Sequence, residues 1–228
     1  MRPHDLQLPT DPEAFAAAQL RLAAAVSATP PAAAPRLWGA VDVGYNITGP
    51  DTAHAVAVLM DAETGELVEE AIWQGPPPHG YVPGLFSLRE GACLVAALER
   101  LSQAPDVLFI DGHGIAHPRG FGLACQMGLT FDVPTVGVAK RRLCGEHGTP
   151  GDSPGDWSPL RLEGRTVGGV LRTQAGVKPV FVSPGHRCDV ETAIAWSTAA
   201  RSAHRLLAPI RYADIRTRQV RDGRTGPI

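Results

Sequence analysis

The stretch DVLFIDGHGIAHPRGFGLACQMGLTFDVPTVGVAKRRLCG, residues 106–145, contains two apolar runs of strand length. Val107–Ile110 ends in Asp111, and Thr135–Ala139 ends in Lys140. Short apolar runs that break into glycine-rich or charged sequence are typical of buried strands. Because ligands of open α/β sheets bind at the carboxyl ends of the strands, we expect an acid and a base to share one site there.

Three further strands are predicted before this stretch, at residues 37–45, 55–60 and 66–73. Their short connections favour an antiparallel meander. A helix is predicted after the meander, because Ser87 and Glu90 have the spacing of a capping box and an apolar stripe follows them.

Beyond the central stretch, the sequence predicts a loop at 146–159, strands at 166–172 and 179–183, and a helix from Asp189 to about His204. The order of elements, βββ-α-β-α-β and then two strands and a helix, predicts an α/β fold. We expect a mixed sheet, made of an antiparallel meander plus parallel strands, with helices on both faces. Ribonuclease H-like nucleases have this order of elements.

The composition favours a soluble protein of one domain. At 228 residues the chain is long enough to form one core, so we expect a single domain over residues 1–228. No apolar run approaches the ~18 residues of a membrane span, and the start lacks a signal peptide, which predicts a cytoplasmic protein with no membrane partner. With a net charge of −2, any anion site must come from local clustering. A monomer is expected, since no exposed apolar stripe is apparent.

Two acidic residues stand where a lone carboxylate is costly. Asp42 lies inside an apolar strand, and Asp111 ends another. A buried carboxylate needs a partner, which is either a metal ion or a structural partner such as a buried arginine. If the two strands are neighbours, the carboxylates converge, and such hard oxygen ligands suit Mg²⁺ or Mn²⁺.

Other candidate residues have both a chemical and a structural interpretation. Glu90 could serve the site, or only cap its helix together with Ser87. Lys140 could neutralise a phosphate or orient a water, or belong to a solvated basic cluster. His113 and His117 could contact phosphate, although histidines in turns are as often structural.

Two residues are set apart by their surroundings. Tyr81, between Gly80 and Pro83 in a proline-rich loop, could act as a wedge or stacking residue on nucleic acid, or pack on its own domain. Asp214 stands among the arginines of a basic C-terminal tail, where an ion pair is the simplest role.

Several long motifs resemble those of the endonuclease V family, the deoxyinosine-directed nucleases. They are spread in family order over roughly 170 residues. The motifs are VDVGY (41–45), YVPGLFSLRE (81–90), DGHGIAHPRGFGLA (111–124), VPTVGVAKRRLCG (133–145), SPGHRCDVETAIAW (183–196) and RYAD (211–214). The resemblance implies a ribonuclease H-like fold and a Mg²⁺-dependent phosphodiester hydrolase in which Mn²⁺ substitutes.

The resemblance also implies a substrate and a product. The family recognises deoxyinosine, the product of adenine deamination, in DNA, and some members recognise inosine in RNA. It cuts the second phosphodiester bond on the 3′ side of the lesion and leaves 3′-hydroxyl and 5′-phosphate ends. The implied partner is therefore inosine-containing nucleic acid, and the implied process is DNA repair.

The family's motifs place roles on this sequence residue by residue. Asp42 and Asp111 match its direct metal ligands, and Glu90 matches its third acidic residue. Asp214 matches a fourth position near the metal, where members carry Asp or His. Lys140 matches the lysine of the active site.

Further matches concern contacts with the nucleic acid. The wedge that enters the duplex beside the lesion is matched by Tyr81, Val82, Pro83 and Gly84. Gly112 and Leu143 match the pocket for the flipped hypoxanthine. The wedge usually begins with proline before the tyrosine, whereas this chain has Gly80, which loosens the loop.

Two other functions remain open from the sequence. A non-catalytic module that binds inosine-containing nucleic acid would need the acidic residues for folding alone, and it would keep its affinity in a chelator. A general structure-directed nuclease of the same fold would cut inosine-free flaps as fast as inosine substrates.

Overall fold

The computed structural model describes residues 1–77, 86–224 and 226, with Phe86 through its backbone alone. Over these residues the chain forms one nine-stranded sheet and five α-helices. The strands are β1 (Leu37–Tyr45), β2 (Ala53–Asp61), β3 (Leu67–Gly75), β4 (Val107–Ile110), β5 (Thr135–Ala139), β6 (Glu146–His147), β7 (Trp157–Leu162), β8 (Arg165–Leu171) and β9 (Val180–Pro184). The helices are α1 (Pro12–Ala23), α2 (Phe86–Leu98), α3 (Leu123–Phe131), α4 (Val190–Ala199) and α5 (Ala208–Arg221).

The sheet is mixed, as predicted. Its strands follow the order β3-β2-β1-β4-β5-β9-β8-β7-β6. β1 pairs in parallel with β4 and β4 with β5, whereas the other neighbours pair antiparallel. The predicted meander is β1 to β3. The three parallel strands lie side by side, so their carboxyl ends meet at one edge of the sheet.

Helices cover both faces of the sheet, which confirms the predicted architecture. Successive side chains of β2 point to opposite faces: Val56 and Val58 join the core under α4 and α5, while Ala55 and Ala57 join the core under α2 and α3. Burial on both faces explains why the central strands are continuous apolar runs. Among the residues placed, none of the helices combines the length and apolarity that a membrane span requires.

Two parts of the chain fold differently from the prediction. The predicted loop at 146–159 contains the two-residue strand β6 and the start of β7 at Trp157. The predicted helix from Asp189 ends at Ala199 instead of near His204, and α5 follows it. The sequence analysis missed α5 because arginines separate its apolar residues.

The start of α2 also differs from the prediction. The helix begins at Phe86, so Ser87 lies inside its first turn and not at the N-cap position that a capping box requires. Glu90 is therefore not the capping partner of Ser87. Its side chain is 9% exposed and faces the cleft described below.

The loop after Asp111 packs closely on β9. A Cβ atom at Gly114 would lie 1.9 Å from the carbonyl oxygen of Pro184, so only glycine fits there. The Gly114 amide donates a hydrogen bond to Ser183 Oγ at 2.8 Å, and this bond is buried. The close approach holds the loop in place between Asp111 and α3.

Candidate active site

Asp42 and Asp111 lie side by side near the carboxyl ends of two central strands. The parallel register of β1 and β4 pairs Val41 with Ile110, and the next residue of each strand carries the carboxylate. Both aspartates line one cleft of about 330 Å³. The two strands are neighbours, and the acids converge as the sequence analysis expected.

Lys140 reaches the same cleft from β5, the next strand. Its Nζ lies 2.6 Å from Asp111 Oδ2, and the two side chains are 42% and 25% exposed. Lys140 is thus directed at Asp111 and lines the cleft, whereas Arg141 and Arg142 after it do not line the cleft. This geometry favours a role of Lys140 in the site over that of a solvated basic cluster.

Two helices on opposite faces of the sheet complete the cleft. Glu90 enters it from α2, and Asp214 enters it from α5. Arg218, one turn after Asp214, donates hydrogen bonds to both of its carboxylate oxygens, at 2.8 and 2.6 Å. Asp214 therefore makes the predicted ion pair and also faces the other three carboxylates.

Burial, together with the crowding of acids, raises the pKa of two carboxyl groups. Burial, and next the negative charge of Asp214, raises the pKa of Asp42 to about 6. Burial, and next the charges of Asp42 and Asp111, raises the pKa of Glu90 to about 9. The cleft thus holds carboxylates that repel one another, and a bound cation would relieve this repulsion.

The donor atoms of the cleft fit a hard divalent cation. Carboxylate oxygens are the ligands that Mg²⁺ and Mn²⁺ prefer. In the described ranges, however, no three His, Cys, Asp or Glu side chains are gathered closely enough to form a ready-made metal site. Lys140 and Arg218 hold Asp111 and Asp214 in ion pairs, so a cation would share these carboxylates with their basic partners or replace those partners.

A second cavity, of about 280 Å³, begins at the residue after Asp111. Gly112 and Leu143, the residues matched to a base pocket, both line it. The side chain of Leu143 is 50% exposed, which is unusual for leucine and leaves an apolar surface at the cavity. A Cβ at Gly112 would meet Leu123 at 3.6 Å, an ordinary contact, so the missing side chain keeps the cavity open and relieves no clash.

His113 and His117 also line the second cavity, and their hydrogen bonds fix the ring protons. His113 Nε2 donates to the Arg141 carbonyl at 3.1 Å, and His117 Nδ1 accepts from the Arg119 amide at 3.1 Å. Burial, above other causes, lowers the pKa of both rings, that of His117 to about 4. Both histidines are therefore neutral near pH 7, and His117 carries its proton on Nε2.

The structure adds residues to the cleft that the sequence analysis did not find. Thr217 and Arg218 line it from α5. A signal for this helix is present, because Ala213 and Thr217 are both buried four residues apart, and Asp214 and Arg218 have the spacing of a helical ion pair. The residues predicted to form the wedge lie outside the described part of the chain: Tyr81, Val82, Pro83 and Gly84.

Comparison with known proteins assigns the chain to a family. The family model described as Endonuclease V matches residues 20–215, a span that includes all four carboxylates of the cleft. The chain belongs to the endonuclease V family. The endonuclease V of Xanthomonas campestris pv. campestris (strain B100) is 45% identical over 182 residues, which cover 80% of this chain and 77% of that relative.

Solved endonuclease V structures share the fold and confirm its ribonuclease H-like mixed sheet. The Bacillus subtilis protein has a TM-score of 0.91 at 26% identity and covers 98% of both chains. The Streptomyces avermitilis protein has a TM-score of 0.88 at 38% identity and covers 96% of both. The Ciona intestinalis protein, in complex with a 24mer DNA containing an inosine, has a TM-score of 0.78 at 21% identity over 91% of this chain and 96% of that one, a likeness of fold alone.

Glu90→Gln is expected to stabilise the protein in the absence of divalent cations. The pKa of Glu90 rises from 4.5 to about 9 on folding, so the folded state holds the proton more tightly and wild-type stability falls as the pH rises through this range. The glutamine variant escapes that loss. Since one pKa unit corresponds to ~1.4 kcal/mol, we expect a gain of about 2 kcal/mol or more in the free energy of unfolding at pH 8, measured by urea denaturation in chelator.

The matched control is Glu66→Gln, an exposed glutamate outside the cleft, which should change the free energy of unfolding by less than about 0.5 kcal/mol. The gain of E90Q should disappear near pH 4, where Glu90 is protonated in both states. Equal stability of E90Q and wild type at pH 8 would show that the cleft does not hold a repelled carboxylate at Glu90.

Proposed function

We propose that this chain is a divalent-metal-dependent endonuclease of DNA repair that acts at deoxyinosine in DNA and also accepts inosine in RNA. It would hydrolyse the second phosphodiester bond 3′ to the lesion and leave 3′-hydroxyl and 5′-phosphate ends. The observation that carries the proposal is a pair of adjoining cavities, one with four carboxylates and a lysine, the other partly apolar. Membership of the endonuclease V family supports it, as does the Ciona intestinalis member solved with inosine-containing DNA.

The acidic cleft is the proposed cation site. Asp42 and Asp111 would hold Mg²⁺, or Mn²⁺ in its place, with Glu90 and Asp214 close to it. When bound, such an ion polarises the scissile phosphate and lowers the pKa of a water. The chain contributes by bringing the carboxylates close together, because their mutual repulsion favours the binding of a cation.

Lys140 is the proposed contact to the substrate's phosphate. Its ammonium group is 42% exposed and already reaches across the cleft to Asp111. The ammonium group has three N–H donors and contacts one oxygen of Asp111, so donors remain for the substrate. It can thus offset the negative charge of the phosphate or orient the attacking water.

The second cavity is the proposed pocket for the flipped hypoxanthine. Flipping costs about a few kcal/mol and is easiest at a weakly paired base. Backbone groups around Gly112 and Leu143 would bind the edge of the base and leave no partner for the 2-amino group of guanine. His113 and His117 are proposed as phosphate contacts. Neutral His117 has its Nε2 proton to donate to a phosphate oxygen, whereas His113 would first have to release the Arg141 carbonyl.

Some proposals rest on the sequence alone. Tyr81, Val82, Pro83 and Gly84 would act as the wedge beside the lesion, since they stand in the family's motif. We also propose that the protein forms a single domain, acts as a monomer and works in the cytoplasm.

Asp111→Asn is expected to abolish cleavage and to spare binding to nucleic acid. The amide keeps the size of the side chain but removes a carboxylate that would hold the cation. The assay uses labelled duplexes with and without one deoxyinosine, and matched inosine RNA, in Mg²⁺, Mn²⁺ or chelator. Wild-type protein should cut one nucleotide beyond the inosine, and only with a cation present.

The control for this assay is Asp152→Asn, an exposed aspartate outside both cavities, which should cut like wild type. Equal cutting of inosine-free flaps would favour a structure-directed nuclease. Wild-type protein that binds inosine-containing strands in chelator, and cuts them in neither Mg²⁺ nor Mn²⁺, would favour a binding module and contradict the proposal.

Gly112→Ala is expected to impair cutting at deoxyinosine without loss of stability. Its methyl group would lie 3.6 Å from Leu123 in the wall of the second cavity, where it takes space from the base. We expect kcat/KM to fall by about ten-fold or more, with Tm within a few degrees of wild type. Gly148→Ala is the control, because its Cβ would meet only Ser158, at 4.0 Å. Unchanged kcat/KM in G112A would place the base elsewhere.

A further inference from the structure

A third cavity adjoins the acidic cleft on the side of α5, and its charge is opposite. It has a volume of about 230 Å³. Four basic side chains line it, those of His204, Arg205, Arg211 and Arg218, and Asp214 is the one carboxylate in its lining. We call it the basic cavity.

The basic cavity and the acidic cleft share two lining residues. Asp214 and Arg218 line both, and their ion pair, with bonds of 2.8 and 2.6 Å, forms the boundary between them. Because the two cavities share these residues, a nucleic-acid strand with one phosphate in the acidic cleft would have the basic cavity beside it.

Within the described residues, two guanidinium groups of the basic cavity have no acidic partner. Arg205 donates from Nη2 only to carbonyl oxygens, that of Lys140 at 2.6 Å and that of Pro179 at 2.9 Å. Arg211 makes no side-chain hydrogen bond or ion pair within the described part of the chain. Because Arg218 already neutralises Asp214, the cavity keeps a net positive charge.

The basic cavity is also held at a fixed place relative to the site lysine. Arg205 binds the carbonyl of Lys140 at the end of β5 and that of Pro179 just before β9, so it joins two strands of the sheet. Thr173 Oγ1 donates to the Arg205 carbonyl at 2.8 Å and anchors the segment that precedes α5. A ligand in the basic cavity would therefore be positioned against the acidic cleft.

We propose that the basic cavity binds a backbone phosphate of the cut strand, one that flanks the scissile phosphate, with Arg211 as its free contact. This inference rests on the proposed function, since the scissile phosphate defines the position of its neighbour. A guanidinium group matches phosphate oxygens two at a time. With a net charge of −2 on the whole chain, phosphate affinity has to come from such a local cluster.

Arg211→Gln tests the contact through the salt dependence of binding. Dissociation constants for a deoxyinosine duplex are measured at several NaCl concentrations in Mg²⁺, with D111N in all proteins so that the strand stays intact. Loss of one phosphate contact should lower the slope of log Kd against log salt by about 0.9 for duplex DNA and weaken binding several-fold at low salt.

The matched control is Arg165→Gln, an exposed arginine that, like Arg211, has no side-chain hydrogen bond or ion pair in the described ranges. Arg165 begins β8, which runs in the same direction as β5, so it lies at the end of the sheet opposite Lys140. R165Q should keep both the wild-type affinity and the wild-type slope.

A second measurement identifies the phosphate. Single methylphosphonates, which carry no charge, replace one phosphate at a time on either side of the scissile bond. One flanking position should weaken binding of the protein that retains Arg211, and the same position should have no further effect on the R211Q protein.

The outcomes separate this inference from the proposed function. An unchanged salt slope in R211Q, with normal cleavage by the wild-type chain, overturns the phosphate site alone. Equal methylphosphonate sensitivity of the two proteins at every position also overturns it. Absence of any inosine-dependent cut by the wild-type chain contradicts the proposed function instead.

Discussion

Repulsion between carboxylates at the ends of two parallel strands is the constraint on which this structure depends. The register of β1 and β4 places Asp42 beside Asp111, and burial, followed by the charge of Asp214, raises the pKa of Asp42. This repulsion costs folding free energy, which is offset by the burial of the central strands under helices on both faces of the sheet. Lys140 and Arg218 offset part of the charge from the rim of the cleft.

The same arrangement explains why helices from both faces belong to one site. Glu90 on α2 and Asp214 on α5 can meet only at the edge of the sheet, where the parallel strands end. The loop after Asp111 packs on β9 through Gly114, which leaves the second cavity directly beside the acids. In the proposed function, chemistry and base recognition therefore share one loop, and the basic cavity extends the same edge toward α5.

The central sheet could be predicted from the sequence because its strands are buried on both faces and stand out as apolar runs. The convergence of Asp42 and Asp111 could also be predicted, on the condition that their two strands are neighbours in the sheet. β6 and α5 could not be found in this way, since one is two residues long and the other is rich in arginine. The ion pair of Lys140 with Asp111 and the basic cavity around Arg211 depend on tertiary contacts that no local pattern encodes, and the roles of the site residues came from the family resemblance.

Binding of Mn²⁺ tests most directly whether the crowded carboxylates form a cation site. Each of three proteins, wild type, Asp42→Asn and the exposed control Asp152→Asn, is titrated with Mn²⁺ in the absence of nucleic acid. Electron paramagnetic resonance measures the concentration of free Mn²⁺ and so gives the affinity of each protein for the ion. Wild type and D152N should bind the ion alike, while D42N should lose affinity by at least about ten-fold, since it lacks one of the two proposed direct ligands. Equal Mn²⁺ affinity in D42N and wild type would contradict the assignment of the cleft as a cation site.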